Sequence, residues 1–309
     1  MSIAVAIPET GAPDVLTVIE RPDRAPGPGE VRIRVRFAAV NPTDIGVCRN
    51  GSDQLPPPWV PGMDAAGEIE LVGEGVSRLT VGERVMAVCT PHRADGGAQS
   101  ERLVVAAASV VPIPANATLA AAATLPMNGM TAILGLEMLG ICAGDTIAVS
   151  GGAGLLASYV IPLAKDRGCD VIADARPEEY DLVHGYGADV VVSRSDDFAA
   201  AVREIEPEGV AGVFDTAVLD GDALGAIRDG GGLAVVRLWN GPGERGIAIH
   251  RPWVRTVVER TEWLDQLRDF AGDGRIQLRP LDAFAPTDAA EAYRRMDAGG
   301  LRGRLLIAF

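Results

Sequence analysis

The sequence predicts an α/β protein in which a doubly wound parallel sheet is joined to a β-rich module. Three observations carry this prediction. A glycine-rich turn joins an apolar strand to a helix near the middle of the chain, strand–helix alternation then continues to about Trp239, and residues 1–115 instead show short apolar strands separated by turns. The length of 309 residues is typical of two domains.

The glycine turn is the most informative stretch of the sequence. Apolar residues 146–149 lead into Gly152-x-Gly154-x-x-Ala157, and apolar residues at helical spacing follow. The pattern fits the dinucleotide fingerprint: Gly152 would allow the tight turn, Gly154 would admit the pyrophosphate, and Ala157 would let helix and strand pack closely. The alternative is a turn with only a structural role, because a match to the fingerprint is weak evidence by itself in a chain with 37 glycines. The residues predicted to surround the cofactor phosphates are Gly152, Ala153, Gly154, Leu155 and Leu156.

The alternation of strands and helices defines the predicted domains. The parallel strands are expected at residues 147–150, 171–174, 190–193, 213–217 and 233–238. Residues 246–250 are predicted as an edge strand, and an apolar face over 254–270 predicts an amphipathic helix. The dinucleotide-binding domain is therefore assigned to residues 119–259. Residues 1–118 and 260–309 are assigned to the β-rich domain, because the C-terminal fifth carries no nucleotide motif.

The composition argues against several classes of partner. Lys and Arg number 28 against 42 Asp and Glu, and the resulting net charge of −14 repels nucleic-acid phosphates and anionic lipid. The N-terminal residues lack the pattern of a signal peptide, no apolar run is expected to span a membrane, and four separated cysteines are typical of buried thiols in a reducing compartment. We therefore expect a cytoplasmic protein that binds neither nucleic acid nor membranes.

Several short motifs occur in order along the chain. They are Asn41-Pro42-Thr43-Asp44, PGMDAAG at 61–67, VGEGV at 72–76, VGERV at 81–85, GAQSE at 97–101 and LPM at 125–127, followed by the glycine turn. In this order they resemble the zinc-independent quinone oxidoreductases of the medium-chain dehydrogenase/reductase superfamily, over essentially the whole chain. The resemblance implies a GroES-like catalytic domain built from both chain ends with a Rossmann domain between them. It also implies NADPH-dependent reduction of quinones, enones or related conjugated carbonyls by a homodimer, for which the edge strand at 246–250 is a plausible seam.

The residues at the zinc positions of related enzymes predict that no metal is used. Zinc-using relatives place a cysteine where Asn41 stands and Gly-His-Glu where Gly62-Met63-Asp64 stands. A carboxamide and a thioether are poor zinc ligands beside thiolate and imidazole. The three histidines are scattered among different predicted elements, so they do not suggest a ligand set either.

Candidate catalytic residues follow from the charge that develops during reduction. When hydride reaches the carbon β to a carbonyl, negative charge grows on the oxygen and needs a hydrogen-bond donor. The amide of Asn41 is the first candidate, and Asp44 accompanies it, although turn and cap chemistry would also explain both residues. By family position, Asn128 and Thr131 are candidates for contacting nicotinamide or substrate.

The sequence gives conflicting signs about the cofactor. Asp174 ends the second predicted strand, where an acid would bind the ribose 2′-hydroxyl of NADH and repel a 2′-phosphate. Arg176 and Arg194 stand near positions where relatives contact the adenosine phosphate, although each would also be an ordinary surface charge. Ala217, at the end of the strand predicted at 213–217, is also assigned to the cofactor site. NADPH is favoured because the family uses it, and NADH stays possible.

Two alternatives to a reductase stay open. The first is a dinucleotide-binding sensor or scaffold without turnover. Leu155 favours it because many relatives have a second glycine there, and Ile45-Gly46-Val47 favours it because many relatives have a tyrosine there. The second alternative is zinc-dependent alcohol oxidation, which the missing ligands disfavour.

Overall fold

The computed structural model describes residues 1–52, 54–195, 197–237 and 239–309, and they form two compact units. The β-rich unit comprises residues 1–127, 255–274 and 278–309. The parallel-sheet unit comprises residues 128–254 and 275–277. The sequence placed the boundaries after residues 118 and 259, whereas the structure places them after Met127 and Val254.

The strands are β1 Ser2–Ala6, β2 Thr17–Arg21, β3 Glu30–Ala39, β4 Asp64–Val72, β5 Arg84–Val88, β6 Arg102–Ala106, β7 Val110–Pro112, β8 Thr146–Ser150, β9 Asp170–Ala175, β10 Val190–Ser193, β11 Val210–Asp215, β12 Ile227–Val235, β13 Ala248–His250, β14 Pro280–Phe284 and β15 Arg304–Ala308. The helices are α1 Pro42–Asn50, α2 Leu119–Ala122, α3 Pro126–Leu139, α4 Ala157–Asp166, α5 Tyr180–Gly185, α6 Phe198–Ile205, α7 Thr261–Gly272 and α8 Ala289–Ala298.

The β-rich unit is built on a seven-stranded sheet in the order β14-β15-β3-β4-β5-β7, with β6 also paired to β3. Strands β1 and β2 form a separate antiparallel pair. In β3, Val31, Ile33 and Val35 are fully buried and alternate with arginines, as the period of two predicts. Arg32 and Arg34 pair with Glu70 on the neighbouring strand β4, so the row of arginines forms cross-strand ion pairs.

The parallel-sheet unit confirms the predicted doubly wound arrangement. Its six strands follow the order β10-β9-β8-β11-β12-β13, and every neighbouring pair is parallel. Helix α3 packs so closely on β11 that a Cβ atom at Gly135 would lie 2.3 Å from the Phe214 ring. Because the strands are parallel, the carboxyl ends of β8, β9, β10 and β11 lie at one edge of the sheet. This is the edge where such folds bind ligands.

Several predicted bounds need correction. The strand predicted at 213–217 spans Val210–Asp215, and the strand predicted at 233–238 spans Ile227–Val235, with Leu238 outside the described residues. The helix predicted from residue 254 begins at Thr261, after a short 3₁₀ turn at Val254–Thr256. Periodicity placed the apolar face of this helix correctly, since Leu264, Leu267 and Phe270 are buried. It does not mark the start of a helix as reliably as its face.

The first domain boundary moved because the segment around α2 packs on the β-rich unit. Helix α2 contacts β3, β4 and β5, and the N–H of Met127 donates to the carboxylate of Asp64 on β4. Apolar helical residues at 119–127 read like the start of the next domain, but their packing partners lie in the sheet before them.

One apolar segment corrects the expectation about membrane-length runs. Leu119–Leu139 has a mean hydropathy of 1.4 over a window long enough to cross a membrane, by length and composition only. In the structure 78% of that window is buried inside the protein, as in the core helix of a globular domain. The structure also divides the segment into α2 and α3. It is therefore weak support for a membrane span.

Candidate functional site

The glycine turn follows β8 and leads into α4, as predicted. Gly151 has a φ of +66°, and Gly152 lies inside the tight turn that Gly151 and Gly154 close. The N–H of Gly152 donates to the backbone oxygen of Asp174 at 2.9 Å, and the N–H of Gly154 donates to the oxygen of Gly151 at 2.8 Å. The turn begins directly after Ser150, the last residue of β8.

The other two small residues serve close packing. A Cβ atom at Gly152 would lie 2.9 Å from the Asp174 oxygen and 3.1 Å from a methyl group of Val183. Ala157 is completely buried at the start of α4, in agreement with the packing role predicted for it. Ala153 is also buried, whereas Gly154 is only half-buried and lies on the accessible side of the turn.

The start of α4 has the donors that a phosphate group needs. Within the described part of the chain, the N–H groups of Leu155 and Leu156 make no hydrogen bond. N–H groups at a helix start, supported by the helix dipole, bind anions. The Leu155 side chain is 6% exposed and packs inside the unit. The turn therefore fits a dinucleotide pyrophosphate.

Asp174, for which the sequence suggested contact with the ribose 2′-hydroxyl, lies one residue before the end of β9. Asp174 is 6% exposed, and one oxygen of its carboxylate accepts the N–H of Gly151. The other oxygen lies 3.8 Å from the guanidinium of Arg194. Burial raises the pKa of Asp174, while the Gly151 N–H and the charge of Arg194 act in the opposite direction. The carboxylate is thus engaged inside the protein.

Arg176 and Arg194 lie at the ends of neighbouring strands. In the parallel register of β9 and β10, Ser193 stands opposite Ala175, so the two arginines follow at adjacent positions. Both residues are exposed, and the N–H of Arg194 donates to the oxygen of Ala175 at 2.7 Å. The structure brings these two predicted cofactor residues together at the ligand-binding edge of the sheet.

A buried polar network lies on the other side of the glycine turn. The hydroxyl of Ser150 donates to Asp215 at 2.5 Å and accepts the N–H groups of Thr216 at 2.9 Å and Ala217 at 3.1 Å. The N–H of Ala217 also reaches Asp215 at 3.1 Å. Sequence reasoning included Ala217 but missed Ser150 and Asp215. The available signal was a polar residue ending each of two apolar strands.

The β-rich unit contains a cluster of buried polar side chains around the start of α1. Asp44 accepts the backbone N–H of Asn41 at 2.7 Å and that of Gly62 at 2.8 Å. The amide of Asn41 donates to Asp64 at 2.7 Å, and Asp64 also accepts the N–H of Met127. Asn41, Asp44 and Asp64 are all 0% exposed. Asp44 thus has the helix-capping role that was the alternative explanation for it.

Burial shifts the protonation of this cluster. It raises the pKa of Asp44 to about 7 and that of Asp64 to about 6, although N–H donors and the charge of Arg304 oppose the change. Burial also raises the pKa of the Cys89 thiol to about 12. Sequence reasoning named Asn41 and Asp44 but gave Asp64 no role, although it closes the cluster.

Asn128 and Thr131 lie three residues apart on α3 and therefore on one face of that helix. Asn128 is 5% exposed and Thr131 is 7% exposed. Both belong to the parallel-sheet unit. Their contact with nicotinamide or substrate stays a prediction.

Comparison with known proteins supports the same conclusion as the fold and the glycine turn. Residues 27–115 match the alcohol dehydrogenase GroES-like domain family, and residues 186–307 match the zinc-binding dehydrogenase family. The chain is 30% identical over 290 residues to the chloroplastic NADPH-dependent alkenal/one oxidoreductase of Arabidopsis thaliana, covering 90% of this chain and 72% of that protein. It is 29% identical over 289 residues to the 2-methylene-furan-3-one reductase of Solanum lycopersicum, covering 90% and 71%.

A solved structure shows the same fold over the full length. A mycobacterial protein complexed with NADPH superposes with a TM-score of 0.83 at 28% identity, covering 100% of both chains. Fold and turn together define an oxidoreductase of the medium-chain dehydrogenase/reductase superfamily. The chain belongs to the quinone and enone oxidoreductases of that superfamily, which confirms the predicted fold class of a GroES-like and a Rossmann domain.

Proposed function

We propose that this protein transfers a hydride from NADPH to a quinone or another conjugated carbonyl, such as an enone or enal. The carrying observation is the phosphate-binding turn before α4 with Arg176 and Arg194 at the adjacent strand ends. An oxidoreductase whose turn holds a pyrophosphate and whose neighbouring guanidiniums can hold a further phosphate is suited to NADPH. The similarity to an NADPH-dependent alkenal/one oxidoreductase supports the same substrate class.

The residues of the chain divide the work. Bound nicotinamide supplies the hydride, and the protein supplies position and electrostatics. The N–H groups of Leu155 and Leu156 would hold the pyrophosphate, with Gly152, Ala153 and Gly154 shaping the turn. Asn128 and Thr131 would contact nicotinamide or substrate. Ala217, held by Ser150 and Asp215, would border the cofactor.

The role proposed for Asn41 follows from its partner. Its amide donates to Asp64, so this carboxylate fixes the direction of the amide. We propose that Asn41, oriented in this way and supported by the cap at Asp44, stabilises the oxygen on which negative charge develops.

We also propose that the reaction needs no metal. At the positions where zinc-using relatives carry ligands, the Asn41 amide is a hydrogen-bond donor to Asp64, and the neighbouring Cys89 thiol has a pKa of about 12. A neutral thiol and an amide nitrogen are poor zinc ligands. In the described ranges, His, Cys, Asp and Glu form no group of three that could hold a metal ion.

Localisation and assembly are further proposals. The free thiols of Cys48, Cys89 and Cys169 are buried and that of Cys142 is exposed, which corrects the expectation that all four are buried and suits a reducing cytoplasm. Strand β13 lies at the edge of the six-stranded sheet, where a second copy could pair with it in a homodimer. The acidic surface argues against nucleic-acid and membrane partners.

A cofactor titration followed by a turnover assay tests the proposal. NADPH and NADH are titrated separately into the protein, with tryptophan fluorescence as the readout, and NADPH oxidation is then followed with a panel of quinones and enones. We expect NADPH to bind at least about tenfold tighter than NADH, and one acceptor class to be reduced. Binding without turnover would instead support a sensor. Failure to bind either dinucleotide would overturn the proposal.

Matched arginine variants connect the titration to the site. Arg176→Gln and Arg194→Gln are each expected to weaken NADPH binding about tenfold while leaving NADH binding nearly unchanged. Arg228→Gln is the control, because Arg228 lies on β12 near the opposite edge of the same sheet and pairs with Asp145. Equal losses for all three variants would point to a general charge effect.

A further inference from the structure

The loops that follow β11 and β12 concentrate strained backbone. Within the described ranges, five residues other than glycine have a positive φ, and three of them lie in these two loops: Val218 at +63°, Asp220 at +54° and Arg237 at +66°. This backbone region is unfavourable for side chains with a Cβ atom, and most of all for a β-branched valine. Strain of this kind gathers at sites that hold a ligand, which makes the two loops candidates for a binding segment.

A buried carboxylate holds the first loop in its strained conformation. Asp215, the last residue of β11, is 0% exposed and accepts the N–H groups of Ala217 at 3.1 Å and Asp220 at 2.7 Å. These two hydrogen bonds close the loop on both sides of Val218. The loop therefore has its shape fixed by the protein itself.

The ring of Trp239 joins the two loops. It lies so close to Gly241 that a Cβ atom there would be 1.9 Å from the ring, and a Cβ atom at Gly221, the residue after Asp220, would be 3.3 Å from it. The backbone oxygen of Trp239 accepts the Nε–H of Arg251 at 2.6 Å. Trp239 is half-buried, so its neighbours fix the indole while part of it stays accessible.

The strand order places Trp239 on the other side of the glycine turn from Arg176 and Arg194. The turn follows β8, the two arginines follow β9 and β10, and Trp239 follows β12 beyond β11. A dinucleotide whose pyrophosphate lies at the turn extends to both sides of it. With the adenosine half at the arginines, the nicotinamide half lies towards β11 and β12, on the side of Trp239.

We propose that Trp239 is a specificity residue for the acceptor: its indole stacks on a flat aromatic ring beside the nicotinamide, so that the site favours a quinone over an open-chain enal. The inference rests on the proposed function. Stacked aromatic rings attract each other beyond the area they bury, and an indole that is already fixed loses little freedom on binding. An open-chain enal offers no ring to stack on. The quinone accepts the hydride from NADPH, takes one proton from solvent and leaves as the hydroquinone, with NADP⁺ as the other product.

Binding without turnover gives the first test. 1,4-Naphthoquinone is titrated by calorimetry into protein saturated with NADP⁺, a pair in which no hydride can be transferred. We expect Trp239→Leu to raise the Kd at least about tenfold and Trp239→Phe to raise it less than about threefold, since phenylalanine keeps an aromatic face. Gly241→Ala keeps the indole but displaces it, so it should also raise the Kd. An unchanged Kd in a folded Trp239→Leu, with folding reported by the melting temperature, would overturn the inference.

The second test compares two acceptors in turnover with NADPH, 1,4-naphthoquinone and trans-2-hexenal. Trp239→Leu should raise the KM for the quinone about tenfold and that for the enal less than about twofold, with little change in kcat for either. Trp263→Leu is the control, because Trp263 lies on α7 of the β-rich unit, where Arg260 stacks on its ring at 4.5 Å. It should change neither KM. If Trp239→Leu raises both KM values equally, Trp239 supports the loops only and the inference is wrong.

The outcomes separate this inference from the proposed function. If the wild type reduces neither acceptor, the proposed function fails, and the calorimetric Kd values still decide whether Trp239 stacks on the quinone. If the wild type reduces both acceptors while Trp239→Leu changes neither the Kd nor the KM for the quinone, the proposed function stands and this inference fails.

Discussion

Each unit buries a pair of aspartates that accept backbone N–H groups, yet the two pairs connect different parts of the structure. Asp44 joins α1 to Gly62, and Asp64 joins β4 to the start of α3, which is 63 residues away in the sequence. Asp174 and Asp215 end two strands that flank β8, and their contacts converge on the short segments around one turn. The first pair therefore maintains the β-rich unit, while the second pair shapes the glycine turn.

Removing Asp64 should have the largest effect, because it deletes a buried acceptor of both the Asn41 amide and the Met127 N–H. We expect Asp64→Ala to destabilise the protein by about 2–5 kcal/mol and Asp64→Asn by less, since asparagine retains one acceptor. Thermal unfolding measures the loss. Glu68→Ala on the same strand is the control, because its ion pair with Arg36 is exposed and should contribute less than about 1 kcal/mol. Equal losses at the two positions would contradict the comparison.

The second largest effect should be a pH dependence of stability caused by the buried aspartates of the β-rich unit. Burial raises the pKa of Asp44 from 3.8 to about 7, so the folded protein binds the proton more tightly than the unfolded chain does. Stability from this group is complete below about pH 4 and is lost as the pH rises to about 7. Relative to Asp44→Asn, which does not titrate, the wild type should lose stability across that range. A difference in melting temperature that stays constant from pH 4 to pH 7 would refute this.

Gly151→Ala should affect the turn more than the fold. The φ of +66° disfavours an alanine, whose Cβ would also lie 3.2 Å from the Thr216 hydroxyl and 3.2 Å from the Ala217 Cβ. We expect a loss of about 1–2 kcal/mol in stability and about a tenfold rise in the Kd for NADPH. Gly185→Ala in α5 is the control. Its Cβ would meet nothing within 4 Å, and the substitution should stabilise the protein slightly. An unchanged Kd for NADPH in Gly151→Ala would show that cofactor binding does not depend on the backbone conformation at Gly151.

Ser150→Ala should give the smallest effect. It removes a donor to Asp215 and an acceptor for the N–H groups of Thr216 and Ala217, although Asp215 still accepts the Ala217 N–H. We expect about 1 kcal/mol of lost stability and a rise of a few fold in the Kd for NADPH. Thr146→Ala, at the other end of β8, removes a contact with Glu206 and should leave cofactor binding unchanged. A cofactor effect from Thr146→Ala would show that the whole strand, and not its end, governs the turn.

Local sequence signals accounted for much of the site but not for its connections. The fingerprint located the glycine turn and the helix after it, because glycine spacing and helical periodicity are short-range properties. Gly152 lies inside the tight turn, while the positive φ falls on the preceding residue, Gly151, which the fingerprint did not name. The sequence placed Asp174 at the end of the second strand, but its contacts with Gly151 and Arg194 depend on the neighbouring turn and strand.

The sequence by itself determined the fold class, the alternation of strands and helices, the glycine turn and the motif order of the family. These follow from periodicity and from residue types that act within a few positions of each other. Only the tertiary structure decided that Asp64 joins Asn41 to Met127, that Ser150 and Asp215 support Ala217, and that Asp174 lies between Gly151 and Arg194. Most of these contacts join residues distant in sequence, and a buried polar group takes the partner that packing brings within reach.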